Sequence, residues 1–246
     1  MSALIPFPNG GYAFLEGVFP YSQGVVALPD FAIERVTFSH PVPMAEGFRK
    51  IAQHLALQSR PTTALCACEL RSPKQFSFEG FVEFNRGYVA VLEKWRLYRD
   101  AKNPVARSNV VPETGAPSEP CFHAFCYTVP SVRTGSYVVA GSGEWPEGGR
   151  FPDDIVARGD VSPAGLKRKC DWVLDAMEDR MQQLEVDWEE EAVTQIYTVH
   201  DIHALVPRIQ QRVQPSGITR HNCRPPIEGL DYEMDVRSVS VERVLT

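Results

Sequence analysis

The chain has 246 residues, of which 43% are hydrophobic and 23% charged, with a formal net charge of -6 at pH 7. This composition predicts a globular protein with enough apolar material for a core. An acidic chain has no basic excess to displace counterions from phosphates, so no nucleic-acid partner is expected. No apolar run approaches the roughly 18 residues that a bilayer span needs, so no membrane partner is expected either.

The N-terminal segment and the cysteines bear on the cellular compartment. The opening MSALIPFPNGGYAF lacks a charged start and a long apolar stretch, which predicts that no secretory signal is present. The six cysteines are interpreted as reduced, mostly buried side chains. Cys66 and Cys68 form a C-x-C pair, but no further ligands follow at metal-site spacing, so no metal is predicted. We expect a cytoplasmic protein.

The elements of the first half follow from hydrophobic periodicity. Strands are predicted over 11–17, 23–29 and 34–40, a helix over 44–57, a strand over 62–71, a longer helix over 77–98, and a loop, turn and strand over 106–129. Phe48, Ile51 and Leu55 fall on one side of the helix over 44–57, as expected for a helix that packs on a core.

The second half contains the clearest helix. Strands are predicted over 135–149 and 153–160, a helix over 163–184, a strand over 191–201, a short helix over 202–212, and a final strand over 232–244. Apolar residues recur at three- and four-residue steps through the helix over 163–184. Ser162 is its predicted N-cap, with Pro163 at the first helical position.

The two halves repeat one order of elements, which indicates a diverged duplication. Arg107 and Arg220 each open an Arg-x-Asn-x-x-Pro motif that leads into a turn containing proline, glycine and an acidic residue, and then a strand. The order strand, strand, helix, strand, helix, strand, strand occurs twice. The predicted fold class is therefore α+β, with tandem modules over 1–130 and 131–246, each a mixed sheet with helices on one face.

Several segments resemble the RidA (YjgF) superfamily. They are SYVVAGSGEWPEGG, FVEFNRGYVAVL, the loops PVARSNVV and GITRHNCR, and the terminal strand YEMDVRSVSVE. The segments YTVHDIH, RPPIEGLDYEMD and SGEWPEG also resemble deaminases of ring-cleavage pathways that act on 2-aminomuconate or its chlorinated form. The resemblance implies a chorismate-mutase-like fold, a homotrimer, and sites at clefts between modules.

The resemblance further implies a hydrolase that deaminates a small enamine or imine dicarboxylate, such as 2-aminomuconate or its 5-chloro form. It would release ammonia and a 2-oxo acid, with a small anionic substrate and no cofactor. Two alternatives stay open: a chorismatase-like enzyme acting on a ring carboxylic acid, and a non-catalytic protein that binds a small ligand.

In such deaminases a loop arginine binds the substrate carboxylate and a strand glutamate activates water. These roles transfer to Arg220 and to Glu233, which we expect to face a common hollow. Arg220 could instead pair with Glu228 or Asp231, and Glu233 could be a solvated strand residue.

Further candidates surround these two. His221 is a candidate proton donor or an ordinary loop residue, and Cys223 and Arg224 complete a polar loop suited to an anion. The other candidate substrate-binding residues are Ser142, Gly143, Asn85 and Arg107. The first module has no glutamate that corresponds to Glu233, so we expect it to be partly degenerate. His200 and His203 are interpreted as surface or cleft residues, not metal ligands.

Overall fold

The computed structural model describes residues 4–188, 191–213 and 217–246, which form two mixed β-sheets and their helices. The first sheet contains β1 (Leu4–Phe7), β2 (Tyr12–Leu15), β3 (Gly24–Ala27), β8 (Tyr137–Gly143), β9 (Val193–Tyr197), β10 (Ile218–His221) and β12 (Glu233–Ser238). The second contains β4 (Phe31–Pro43), β5 (Leu65–Arg71), β6 (Ala106–Pro112), β7 (Cys121–Pro130), β11 (Cys223–Arg224) and β13 (Val241–Leu245). The helices are α1 (Met44–Leu57), α2 (Phe78–Lys94), α3 (Pro163–Gln183) and α4 (Val206–Arg212), with short 3-10 turns at Thr62–Ala64 and His203–Leu205. The mixed α+β class predicted from the sequence is confirmed.

Helices cover the outer face of each sheet because their apolar stripes pack there. Ile51 of α1 and Leu92 of α2 belong to one buried cluster with Phe125 of β7. Val173 of α3 and Ile209 of α4 belong to another cluster, on the first sheet. The Ser162 hydroxyl accepts a hydrogen bond from the Gly165 amide, which confirms the predicted N-cap of α3.

The two halves of the chain repeat one strand order. The second sheet contains the run β4-β7-β5-β6 and the first contains β8-β12-β9-β10. In each run the last pair is parallel and the other pairs are antiparallel. The register places Arg107 opposite Cys68 and Arg220 opposite Ile196, so the two arginines occupy equivalent positions.

The same register shows where the first half lacks an acid. Met234 pairs with Ile196 and Phe125 pairs with Cys68, so Ala124 occupies the position that Glu233 holds in the second half. The absence of a matching glutamate, predicted from the sequence, therefore has a defined location in β7.

The inner faces of the sheets meet through polar as well as apolar contacts. Ser108 of β6 donates a 2.5 Å hydrogen bond to Asp235 of β12, which joins the two sheets. Asp235 also accepts from Gln195 and Tyr197 of β9. Buried carboxylates are tolerated where such donors compensate for the lost water.

Three expectations about the elements are wrong. Residues 153–160 form turns and no strand. The predicted final strand over 232–244 is two strands, β12 in the first sheet and β13 in the second, and Ser240 bonds to Ile33 where the chain crosses over. Arg107 and Arg220 lie within strands β6 and β10, because both motifs pair with a neighbouring strand.

The sheets also exchange their terminal strands. The N-terminal β1–β3 lie in the sheet of the second half, next to β8, and β13 lies in the sheet of the first half, next to β4. The boundary predicted at 130/131 therefore does not separate the two sheets. Exchange of this kind leaves each half dependent on the other for part of its sheet.

Candidate active site

A cavity of about 370 Å³ lies where the two sheets meet, and it is lined by residues of both halves. Strands β6, β8 and β12, helix α2, and the loops at 18–21, 145–149 and 226–230 contribute to its wall. Most of the wall is apolar, and the polar side chains are few, as in sites that bind small molecules.

Arg107 is the one cationic residue among the described residues that line this cavity. It is 3% exposed, and neither of its Nη atoms has a hydrogen-bond partner among the described residues. Its guanidinium carbon lies 4.9 Å from the ring centre of Tyr88 and 5.2 Å from that of Tyr21. The rings stabilise the charge in part, and burial lowers the pKa of Arg107. An unpaired buried guanidinium is a ready receptor for a carboxylate.

Glu233, on β12, lines the same cavity and is 4% exposed. Burial raises the pKa of its carboxyl well above the usual value, and repulsion from Asp235 adds to the effect. The nearby Arg71 and Arg107 oppose this shift without cancelling it. The raised pKa favours the protonated form of Glu233, which is able to donate a proton.

The carboxyl of Glu233 lies directly against Gly141 of β8. A Cβ placed on Gly141 would be 2.3 Å from Glu233 Oε1 and 3.3 Å from the Cα of Ser108. Only a residue without a side chain leaves space here, so Gly141 determines where the acid lies. Gly141 therefore lies between the Glu233 carboxyl and the middle of β6, at Ser108.

Three further polar residues of the wall have unmet hydrogen-bonding groups. Asn85 Oδ1, Asn109 Nδ2 and Trp145 Nε1 are buried and have no partner among the described residues. Buried polar groups are normally paired, and leaving one unpaired costs about 1–3 kcal/mol. Unpaired groups concentrated around one cavity indicate a wall built to bind a polar ligand.

A second acid of the wall, Glu147, is already neutralised. Its carboxylate accepts hydrogen bonds from Arg180 of α3 and from Gln23, each at 2.9 Å. Arg180 also donates to the Ser142 hydroxyl at 3.3 Å. Glu147 is paired and burial favours the uncharged form of Glu233, so the positive charge of Arg107 is the one left to attract an anion.

The structure brings together five of the residues predicted from the sequence. Asn85, Arg107, Ser142, Gly143 and Glu233 all line the cavity. The Ser142 hydroxyl is occupied by Arg180, so this residue presents little to a ligand beyond its backbone.

The other four predicted residues lie elsewhere. Arg220 is bound to the carbonyl oxygen of His200 at 2.9 Å, and Arg224 forms an ion pair with Glu113 at 3.0 Å. His221 stacks on Tyr197 and lies 3.0 Å from Gln195 Oε1, and Cys223 is buried on the short strand β11.

The expectation that Arg220 and Glu233 share a hollow is therefore wrong for this chain. The physical reason is the crossed arrangement of the repeats: β6 of the first half faces β12 of the second, so Arg107 meets Glu233. The first half offers no corresponding acid for Arg220, because Ala124 occupies the position that Glu233 holds in the second half.

Asn109, Gly141 and Trp145 were not identified from the sequence. Asn109 could have been identified, because it is the asparagine of the Arg-x-Asn motif that begins at Arg107. Gly141 and Trp145 flank the Ser-Gly pair of β8, but their roles depend on contacts with other elements.

No group of three or more His, Cys, Asp or Glu in the described ranges is arranged to hold a metal ion. His200 Nε2 lies 3.1 Å from Asp231, and that carboxylate also binds Lys169. No helix within those ranges is long and apolar enough to span a bilayer.

Fold and cavity together define a two-sheet α+β protein with a buried carboxylic acid and an unpaired guanidinium in one cavity. The chain belongs to the 2-aminomuconate deaminase CnbZ family, whose model matches residues 4–243. A 2-amino-5-chloromuconate deaminase of Comamonas testosteroni is 44% identical over 252 residues, and the match covers 100% of both chains. A crystal structure of a chorismatase is similar with a TM-score of 0.48 and 12% identity, over 92% of this chain and 79% of that one.

Proposed function

We propose that this protein hydrolytically deaminates a 2-aminomuconate-type enamine dicarboxylate, such as 2-aminomuconate or its 5-chloro form, to ammonia and a 2-oxo acid. The observation that supports it is that Arg107 and Glu233 line one cavity. The Nη atoms of Arg107 have no partner within residues 4–188, 191–213 and 217–246, and the pKa of Glu233 is raised. The family and the 44% identical relative name the same class of substrate.

The first chemical step uses the protonated form of Glu233. The carboxylate beside the amino group binds Arg107, which orients the enamine. Glu233 donates its proton to the enamine carbon, and the nitrogen lone pair forms a C=N double bond. This step needs an acid that holds its proton, and burial favours that form by raising the pKa of Glu233.

The remaining steps return Glu233 to its starting state. Its carboxylate takes a proton from water as the oxygen attacks the iminium carbon, giving a carbinolamine. Glu233 then protonates the nitrogen, the C–N bond breaks to release ammonia, and the new hydroxyl returns its proton to Glu233 as the carbonyl forms. One water is consumed and no cofactor takes part in this scheme.

Freshly generated 2-aminomuconate and purified protein test the proposal directly. Ammonia should appear faster than in buffer, and in step with loss of the enamine absorbance. An ammonia rate equal to that of buffer, with folded protein present, contradicts the proposal. Incubation of the same preparation with chorismate, followed by product analysis, tests the chorismatase-like alternative. A rise in melting temperature with dicarboxylates, without turnover, would support a non-catalytic binding protein.

We also propose that the repeated strand order reflects two RidA-like modules that assemble as a homotrimer in the cytoplasm. The identical runs of four strands, each with a parallel final pair, support the modular part of this proposal. Light scattering after size exclusion would measure the mass of the assembly, and a monomer would contradict the trimer.

A further inference from the structure

A dicarboxylate needs a second binding site for its second carboxylate, and Arg107 is occupied by the first. Among the described residues, no other cation lines the cavity. Apart from Arg107, two buried side-chain N–H donors of its wall have no partner among the described residues, the amide of Asn109 and the indole of Trp145.

The orientation of the Asn109 amide is fixed by a neighbour. The Ser72 hydroxyl donates a 2.9 Å hydrogen bond to Asn109 Oδ1, so this oxygen is occupied. The Nδ2 group is left without a partner, although Asn109 is only 3% exposed. An unpaired, oriented, buried NH2 group suits an acceptor such as a carboxylate oxygen.

The spacing along β6 matches a linear six-carbon diacid. Arg107 and Asn109 are two residues apart on one strand, and both line the cavity. A strand rises about 3.3 Å per residue, so their Cα atoms are separated by about 6.6 Å. Five consecutive carbon–carbon bonds of about 1.5 Å each, in a zigzag chain, span a similar distance.

The acid lies between these two positions. Ser108 separates Arg107 from Asn109 on β6. A Cβ built on Gly141 would contact both the Cα of Ser108 and Oε1 of Glu233. A diacid lying along β6 would therefore present the middle of its carbon chain to the proton donor.

We propose that Asn109 Nδ2 and Trp145 Nε1 form an uncharged subsite for the distal carboxylate, which makes the cavity selective for dicarboxylates over monocarboxylates. This inference rests on the proposed function and names the element of the site that would recognise the second acid group. Neutral donors bind a carboxylate without adding a second buried charge.

Two stable ligands with the same carbon skeleton test it. Muconate carries two carboxylates and sorbate carries one, so their ratio of dissociation constants reports the distal subsite alone. Calorimetric titration gives the constant for muconate, and displacement of bound muconate gives the constant for sorbate.

Asn109→Asp is the sharpest variant, because its shape is the same and it can still accept from Ser72. At pH 8 the new carboxylate repels the distal acid, so the preference for muconate should fall at least 10-fold while sorbate binding changes less than threefold. Trp145→Phe removes only the N–H donor and should lower the preference several-fold. Asn222→Asp, the same change at the repeat-equivalent and exposed position, should alter neither constant.

A preference unchanged within threefold in Asn109→Asp overturns the subsite, and so does an equal loss for both ligands. These outcomes are separable from the deaminase proposal. A wild-type protein that binds muconate selectively but releases no ammonia ends the proposed reaction and leaves the subsite standing. Normal ammonia release by the wild type, together with an unchanged preference for muconate in Asn109→Asp, ends the subsite and leaves the proposed reaction standing.

Discussion

Arg107 of the first half and Glu233 of the second half line one cavity, although they are far apart in the sequence. The two residues come from different sheets, since β6 lies in the six-stranded sheet and β12 in the seven-stranded one. The candidate site is therefore a product of the packing between the repeats and does not exist within either repeat alone.

Replacing Arg107 with methionine should abolish carboxylate binding. Removing one partner of a buried charge pair typically costs about 2 kcal/mol or more, which is at least about 30-fold in kcat/KM. Steady-state ammonia release measures it. The Arg107→Met protein should melt no lower than wild type, because the substitution removes a buried charge whose Nη atoms have no partner in the part of the chain that the structure describes.

Arg220→Met is the matched control for that change. Arg220 is the repeat equivalent, lies outside the cavity and bonds to a backbone carbonyl oxygen. Its kcat/KM should stay within about threefold of wild type, since a side chain remote from the cavity adds little. A large loss of kcat/KM in Arg220→Met, together with a small loss in Arg107→Met, would assign carboxylate binding to Arg220 and not to Arg107.

Glu233→Gln should lose turnover while it keeps binding. General acid–base groups typically contribute about 100- to 10,000-fold to a rate. Because the proposed reaction starts from the protonated acid, the wild-type rate should fall as pH rises through the raised pKa of Glu233. The residual rate of Glu233→Gln should not show this fall with pH. Titration with muconate should give similar dissociation constants for the variant and the wild type. An unchanged wild-type pH profile in the variant would rule out this role.

The same pKa predicts how stability depends on pH. The folded carboxyl holds its proton more tightly than the unfolded one, whose pKa is about 4.3. The stabilisation is fully present below that pH and is lost as pH rises towards the raised pKa of folded Glu233. Urea unfolding should therefore show wild type losing stability relative to Glu233→Gln as pH rises from about 4 to 8. A constant difference across this range would contradict a buried, protonated Glu233.

Gly141→Ala should displace the Glu233 carboxyl. The added methyl would lie 2.3 Å from Glu233 Oε1, so the acid must move. We expect a loss in kcat of about 10-fold or more, because a shift of about 1 Å is costly to proton transfer. Gly87→Ala adds the same methyl in α2, where nothing lies within 4 Å. It should raise the free energy of unfolding by about 0.5–1 kcal/mol without changing kcat.

Lys169→Met should destabilise the protein strongly. Lys169 and Glu144 are both 0% exposed and lie 2.9 Å apart, and Glu144 also accepts the backbone N–H groups of Asp231 and Tyr232. Breaking such a pair leaves a buried charge, at a cost of about 3–5 kcal/mol. Lys167→Met, which breaks a more exposed pair with Asp171, should cost about 0.5 kcal/mol. Urea unfolding of both variants measures the difference, and similar losses would contradict it.

Local sequence patterns predicted the helices well. The helix over 44–57 and the N-cap at Ser162 are observed as predicted, because apolar periodicity and a capping hydroxyl act over a few residues. The strand over 153–160 was predicted wrongly, since its short alternation competes with the turn-forming residues around Gly159. The strand over 232–244 was predicted as one element because nothing local shows that the chain changes sheets near Ser240.

The candidate site was predicted in part. The sequence identified both arginines as equivalent, and Glu233 as the acid without a counterpart, because the repeated motif displays these residues directly. It could not show which arginine meets Glu233, since that depends on how the two sheets face each other.

The sequence by itself determined the mixed α+β class and the types of residue available for chemistry. Those properties depend on neighbours in the chain. Only the tertiary structure decided that Arg107 and not Arg220 shares a cavity with Glu233, and that Gly141 and Asn109 belong to its wall. The physical reason is that the site forms between sheets, where contacts join residues that are distant in sequence and where burial sets their charge.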